Sequence, residues 1–181
     1  MGSPLQSSRR IQSQSRDGEK ADDGAGFTVP SRADKASQPE KGGIMAETLR
    51  AKALKTLQKL RRMECANDEG YCKCVSCGVL VHWKECDGGH WLPKGSSSRW
   101  ALEPENVWSQ CKSCNGFQMK HGSAAQQYTI HMIDFYGREF VDHMLDTRRD
   151  IHKLYAADYR EMIADWSEQI KGHERRLGER R

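Results

Sequence analysis

Apolar residues recur every three or four positions in two long stretches of the chain, as on one face of an amphipathic helix. The first stretch covers residues 46–67, and the second follows Asp150, a residue suited to cap the start of a helix. Between them, Ser123 and Gly137 fit the start and the end of a shorter helix, and residues 138–148 continue as another. The pattern therefore predicts a mostly helical chain.

Residues 72–110 interrupt the helical pattern with short apolar runs and turn-forming residues. Within them, Val79–Trp83 and Asp87–Trp91 predict two strands that pair with each other as a hairpin. Residues 112–120 can then form a short helix. We expect an α+β fold, mostly helical, in which a small sheet lies among the helices.

Residues 1–44 are rich in Ser, Gln, Gly, Asp and Lys and show no regular apolar period. Such a composition predicts a disordered extension. The rest of the chain then divides into a main domain over residues 45–148, which begins with a basic helix, and a long C-terminal helix with a basic tail over residues 149–181.

Apolar side chains are too scarce for a large core. Leu, Ile, Val and Phe supply 28 of the 181 residues, which is below the level of ~20% under which disorder is suspected. The net charge is only +4, so the high charge of a disordered chain is missing. This composition excludes a large α/β enzyme and a β-sandwich, and the absence of a long apolar run argues against a membrane protein. Because no apolar signal segment opens the sequence, we expect a cytoplasmic protein.

Two Cys-x-x-Cys pairs supply the strongest chemical signal. The first pair is Cys74 and Cys77, and the second is Cys111 and Cys114. In a cytoplasmic protein, cysteines at this spacing are more typical of metal ligands than of disulfides. Two such turns complete a tetrahedral site of four thiolates, for which zinc is the default metal. A closed site of this kind predicts structural zinc, whose binding energy replaces missing apolar burial.

Three further cysteines, Cys65, Cys72 and Cys86, lie outside these pairs. The order Cys-Lys-Cys at residues 72–74 allows Cys72 to compete with Cys74 as a ligand. Cys65 and Cys86 are most simply small buried apolar residues.

A second group of polar residues accompanies the cysteines. The sequence Asp-Gly-Gly-His occupies residues 87–90, and Asn115 directly follows Cys114. A shared zinc ion would bring Asn115 near the predicted hairpin, so Asp87, His90 and Asn115 could converge. Carboxylate and carboxamide oxygens suit Mg²⁺ or Mn²⁺, and a neutral histidine beside them can deprotonate water. This combination is suited to phosphodiester hydrolysis with a single metal ion.

Basic residues concentrate in the first predicted helix. Residues 46–63 contain six basic residues and one acidic residue. They could form a solvated helix face or a surface for DNA phosphates. Two more, at the end of the short helix, either contact a phosphate or stabilise the helix C-terminus. The candidate DNA-binding residues are Arg50, Lys52, Lys55, Lys59, Arg61, Arg62, Lys120 and His121.

The order Cys-x-x-Cys, Asp-x-x-His, Asn, Cys-x-x-Cys-Asn resembles that of HNH nucleases with the ββα-metal fold. More closely, residues 46–148 resemble the phage NinG (Rap) recombination family, and the same elements occur in the endonuclease VII family of Holliday-junction resolvases. Many HNH nucleases carry an acid or a histidine just before the base, where this chain has Gly89. The matching stretches are Cys74–Gly78, Asp87–His90, Glu105–Val107 and Gln110–Asn115.

This resemblance implies a role for each matching residue. His90 would be the general base that activates water, and Asp87 and Asn115 would hold the catalytic divalent cation, Mg²⁺ or Mn²⁺. Asn106 would brace the loop that orients His90. The four paired cysteines would hold structural zinc.

The leading hypothesis is a metal-dependent DNA endonuclease acting on branched or recombination-intermediate DNA, such as Holliday junctions or D-loops. The branch preference, a recombinase partner and a bacteriophage origin follow from the resemblance alone. The C-terminal helix could also pair two subunits in a homodimer. The alternative is a zinc-stabilised DNA-binding or recombinase-accessory module without catalysis. A sequence-specific homing or restriction enzyme is less favoured, because no separate specificity domain is visible.

Overall fold

A computed structural model describes the backbone of residues 41–178 and the side chains of residues 48–178. Most of the expected disordered extension, residues 1–40, lies outside the described residues, as does the end of the basic tail, residues 179–181. Residues 41–44 are already helical, so the first helix begins earlier than the composition predicts.

The described chain is mostly helical and of the α+β class, as the apolar pattern predicts. A 3₁₀ turn precedes the last strand, and a π-helical turn follows it. The named elements are α1 (Lys41–Glu64), β1 (Tyr71–Lys73), β2 (Leu80–His82), β3 (Asp87–His90), β4 (Val107–Gln110), α2 (Met119–His121), α3 (Ala124–Tyr136), α4 (Arg138–Asp146) and α5 (Ala156–Gly178), with the 3₁₀ turn at Pro104–Asn106 and the π-helical turn at Cys114–Gln118.

The long helices α1 and α5 pack against each other and form the larger apolar core. Leu57 and Leu60 of α1 are almost fully buried there, together with Ile163 and Trp166 of α5. The apolar stripe of α5 is therefore covered by α1 of the same chain. A homodimer stays a prediction, and this stripe is not free to form it.

The start of α5 differs from the expectation. Asp150 does not cap the helix, which begins only at Ala156. Asp158 supplies the local acceptor instead, because its Oδ2 accepts the backbone N–H of Tyr155 at 2.7 Å. Ile151, which directly follows Asp150, lies outside the helix and is 91% exposed.

The strands form two separate antiparallel ribbons, β1 with β2 and β3 with β4. The predicted hairpin between residues 79–83 and 87–91 is wrong. The first Cys-x-x-Cys turn folds β2 back onto β1, with the Cys74 N–H donating to the Val79 carbonyl at 2.9 Å. A tight turn after β2 then directs β3 away from it, and β3 pairs with β4 from beyond the long loop.

The β3–β4 ribbon lies between α1 and the short helices. A Cβ on Gly88 would lie 2.9 Å from the Gln58 Cα of α1, so only glycine allows this approach. On the other side, α3 ends at Tyr136, and the φ of 85° at the following Gly137 confirms the predicted stop. Within the described residues, no helix is long and apolar enough to cross a membrane.

Candidate functional site

The four paired cysteines form one cluster, as their spacing predicts. Their Sγ atoms all lie within 4.8 Å of one another, and the Sγ atoms of Cys77 and Cys111 are 3.8 Å apart. A tetrahedral zinc ion with Zn–S bonds of about 2.3 Å requires S···S distances of about 3.8 Å. The cluster could therefore hold zinc.

Local backbone structure aims these sulfurs at one point. Cys74 and Cys77 lie in the turn between β1 and β2. Gly78 closes this turn: its φ is 78°, and its N–H donates a hydrogen bond to the Cys74 carbonyl at 2.8 Å. Cys111 directly follows β4, and Cys114 begins the π-helical turn. The two turns meet because β1 lies beside β4.

The electrostatics of the cluster suit a cation. Burial opposes ionisation of Cys74, but backbone hydrogen bonds from Cys111, Cys77 and Ser76 lower the pKa of its thiol. Burial and the neighbouring thiols raise the pKa of Cys114. Several thiolates at this separation repel one another, and a divalent metal removes that repulsion.

The remaining cysteines lie apart from this cluster. Cys72 donates to the Arg62 carbonyl at 3.1 Å and packs with Cys86, so it does not compete with Cys74 as a ligand. The neighbouring Cys86 thiol and burial raise the pKa of Cys72. Cys65 is half-buried beside the same small apolar group, and burial raises the pKa of its thiol.

Asp87 and Asn115 are brought together, as predicted. Asp87 begins β3, and Asn115 follows the last cysteine in the π-helical turn. The Asn115 Nδ2 donates to the Asp87 Oδ2 at 3.0 Å. Both residues line a hollow of about 320 Å³ together with Lys55 and Arg62 of α1. A carboxylate, an amide oxygen and two cations around one hollow suit a metal-bound phosphate.

His90 lies three residues along the same strand, at the other end of the ribbon. Its Nε2 lies 3.0 Å from the Ala101 carbonyl. Since a carbonyl only accepts, Nε2 carries the proton and Nδ1 is left as the basic nitrogen. Burial lowers the pKa of His90, and Lys94 and Arg50 lower it further. His90 does not line the hollow of Asp87 and Asn115, so the structure brings together only two of the three residues that the sequence predicts to converge.

Asn106 is fully buried and joins both ends of the loop between β3 and β4. Its Oδ1 accepts the Leu92 N–H at 2.7 Å. Its Nδ2 donates to the carbonyls of Leu92 and Trp100, both at 3.0 Å. The loop it holds carries Ala101, which in turn holds the His90 ring.

The basic residues of α1 divide into two groups. Lys52 and Lys55 are exposed. The other four bind the protein itself. Arg50 donates to the Lys94 carbonyl, Lys59 pairs with Glu174, Arg61 donates to the Val107 carbonyl and pairs with Glu64, and Arg62 donates to the carbonyls of Gln58, Trp83 and Cys86.

Lys120 and His121 are exposed in α2 and do not line the hollow of Asp87 and Asn115. The His121 ring instead lies 4.8 Å from that of Phe117. Sequence reasoning missed the Ala101 carbonyl and the close approach of Gly88 to α1. Two consecutive glycines inside a strand were the available signal for that approach.

Fold and site together define a small, mostly helical α+β protein with a four-cysteine cluster able to hold zinc and a separate carboxylate–amide pair. Residues 28–176 match the family of the bacteriophage lambda NinG protein. Because this match spans most of the chain, the chain belongs to that phage protein family. Comparison with curated proteins and with solved structures gives no significant match. The likeness to HNH nucleases and endonuclease VII stays a prediction.

Proposed function

We propose that this chain is a metal-dependent DNA endonuclease of the HNH type. The observation that carries the proposal is the pairing of Asp87 with Asn115 at 3.0 Å beside Lys55 and Arg62. A DNA-binding module stabilised by zinc would have no need of a second group of hard ligands next to its zinc site.

The paired residues fit a hard divalent cation. The Asn115 amide donates its N–H to the carboxylate, so its Oδ1 and the other Asp87 oxygen are available as ligands. Magnesium or manganese bound there would supply the Lewis acid that stabilises the charge on the scissile phosphate. Lys55 is exposed at the same hollow and would attract the phosphate.

His90 serves as the general base in this proposal. Ala101 holds Nε2–H, so Nδ1 accepts the proton of the attacking water. Burial keeps the ring neutral and ready to accept. Asn106 acts as a positioning residue, because it holds the loop that carries Ala101. The proposal requires Nδ1 and the Asp87–Asn115 pair to face one phosphate.

Branched DNA is the proposed substrate class. Its support is membership of a phage family together with the resemblance to junction resolvases. A recombinase is proposed as a partner on the same ground.

Cleavage assays test the proposal directly. Linear duplex, single-stranded, D-loop and four-way DNA are incubated with the full chain and Mg²⁺, Mn²⁺ or EDTA. We expect cleavage with either metal and none with EDTA, with His90→Ala or with Asp87→Asn. The matched control is His152→Ala, since His152 is exposed on the segment before α5.

Two results would contradict the proposal. Equal cleavage by wild type and His90→Ala would exclude His90 as the base. Binding without cleavage of any DNA by folded, zinc-loaded protein would favour the accessory module.

A further inference from the structure

Gln110 is a buried polar residue that the roles described above leave unused. It is the last residue of β4, stands directly before Cys111 and pairs with Asp87 across the ribbon. Its side chain is fully buried. A buried amide normally has all its polar atoms bonded, so each partner carries information.

The orientation of this amide follows from its partners. The Gln110 Nε2 donates to the Ser76 Oγ at 2.8 Å and to the Met119 Sδ at 3.4 Å. The Ser76 hydroxyl gives its own proton to the Ala124 carbonyl at 3.0 Å, so its oxygen must accept. A rotated amide would set the Gln110 oxygen against an oxygen without a proton. The observed orientation is therefore the stable one.

The other end of the amide is left without a partner. Among the described residues, the Gln110 Oε1 is buried and accepts no hydrogen bond. Burying an unpaired carbonyl oxygen costs free energy, so such an atom indicates a missing ligand.

This oxygen lies where a side chain on residue 89 would begin, in the room that Gly89 leaves. A Cβ on Gly89 would lie 1.9 Å from the Gln110 Oε1 and 2.9 Å from the Asn115 Oδ1. The two oxygens thus approach the same side of Gly89, and the Asn115 amide is hydrogen-bonded to Asp87. The absence of a side chain at Gly89 is what allows this approach.

We propose that the Gln110 Oε1 is a third protein ligand of the divalent cation held by Asp87 and Asn115, and that Ser76 of the zinc-binding turn sets its position. This inference rests on the proposed function above. A neutral ligand leaves the Asp87 carboxylate as the single anionic ligand, so the cation retains positive charge for a phosphate. An amide, unlike a carboxylate, also has the N–H that Ser76 accepts. The zinc cluster thereby sets the geometry of the second metal site.

Manganese binding tests the inference apart from cleavage. Full-length, zinc-loaded protein is titrated with Mn²⁺, and free Mn²⁺ is measured by its electron paramagnetic resonance signal. Gln110→Met keeps the length of the side chain but removes the oxygen, and we expect Mn²⁺ binding to weaken by about tenfold or more. The control is Gln127→Met, since Gln127 is exposed on α3 and should change nothing.

Three further variants separate a ligand from a packing role. Gln110→Glu restores an oxygen and should bind Mn²⁺ more tightly than Gln110→Met. Ser76→Ala removes the acceptor that orients the amide and should weaken binding about tenfold with zinc content unchanged. Gly89→Ala places a methyl group against both oxygens and should also weaken binding.

The outcomes are distinct. If Asp87→Asn loses Mn²⁺ while Gln110→Met binds it like wild type, the third ligand is wrong and the proposed cation site stands; a water molecule then satisfies Oε1. If wild type binds no Mn²⁺, both this inference and the proposed cation site are wrong. Equal weakening by Gln110→Met and Gln110→Glu would also overturn the ligand role.

Discussion

The α1–α5 helix pair and the cysteine cluster are held together by different forces. In the helix pair, Leu57 and Trp166 belong to one continuous apolar core. Around the cysteines, the buried apolar group among residues 48–178 consists of Cys74, Cys114 and Ala124. Nearby strand residues remain open to solvent, and Leu80 is 63% exposed. The scarcity of apolar residues is therefore concentrated at the cluster, where metal–thiolate bonds would take the place of burial.

The two regions are joined by cations of α1. Arg61 donates to the Val107 carbonyl at 2.8 Å, and Arg62 donates to the Cys86 carbonyl at 3.1 Å. These guanidinium groups tie the β3–β4 ribbon to the helix pair. Charge that looks available for DNA in the sequence is thus partly used inside the protein.

Loss of zinc should produce the largest difference between the regions. Cys111→Ser removes a ligand, and apparent zinc-binding energies in small zinc domains are about 10–16 kcal/mol. We expect loss of zinc and loss of hydrogen-exchange protection in residues 107–121, while α1 and α5 keep theirs. Cys65→Ser, outside the cluster, should retain zinc. One zinc per chain and unchanged protection in Cys111→Ser would contradict the four-cysteine site.

A cavity in the α1–α5 helix pair should destabilise that pair and leave the cysteine cluster intact. Leu57 is fully buried, and a Leu→Ala change at such a site costs about 2–5 kcal/mol of unfolding free energy. Urea unfolding of Leu57→Ala should show this loss while zinc content stays at the wild-type level. Leu80→Ala, at an exposed position, should change stability by less than about 0.5 kcal/mol. Equal losses of stability in Leu57→Ala and Leu80→Ala would contradict the contrast between an apolar helix pair and an open cysteine region.

Asn106→Ala should destabilise the loop that connects β3 and β4. It leaves the Leu92 N–H and the Leu92 and Trp100 carbonyls without their partner, which predicts a loss of about 1–3 kcal/mol. Thermal unfolding measures this loss of stability. The cleavage rate should fall even where the variant is still folded, because His90 loses its support. Wild-type cleavage by a folded Asn106→Ala protein would contradict the positioning role.

The pH dependence of cleavage should report the environment of His90. Burial, Lys94 and Arg50 lower its pKa, although the Ala101 carbonyl opposes them. A base is active only when unprotonated, so activity is present above this pKa and falls as the pH drops through it. The acid limb of kcat/KM should therefore have its midpoint below the ordinary value of about 6.5. Lys94→Ala should move the midpoint upward, and a midpoint above 6.5 in wild type would contradict the assignment.

The smallest effect is expected from single lysines of α1. Lys52 is exposed, whereas Lys59 pairs with Glu174 at 2.7 Å. Lys52→Ala should weaken DNA binding slightly and reduce the salt dependence by about one phosphate contact. Lys59→Ala should do less. DNA affinities measured over a range of salt concentrations check this order. A larger effect of Lys59→Ala than of Lys52→Ala would contradict the distinction between exposed and ion-paired lysines.

The periodic apolar residues were enough to place the helices, because helix spacing is a local property of the chain. Leu57 and Leu60 lie on the buried face of α1, and Gly137 ends α3, as predicted. The start of α5 was not predictable in this way. Asp150 is a good capping residue in sequence, but α5 begins at Ala156, and Asp158 in its first turn accepts the Tyr155 N–H instead.

By itself, the sequence determined the two Cys-x-x-Cys turns, the place of Asn115 directly after Cys114 and the phage family, since each of these is a pattern of residues that can be read along the chain. Only the tertiary structure decided which strands pair, which cations of α1 remain exposed and where the Gln110 oxygen points. These features depend on contacts between residues distant in sequence. The Gln110 amide is oriented by Ser76, 34 residues earlier, and no local pattern encodes that contact.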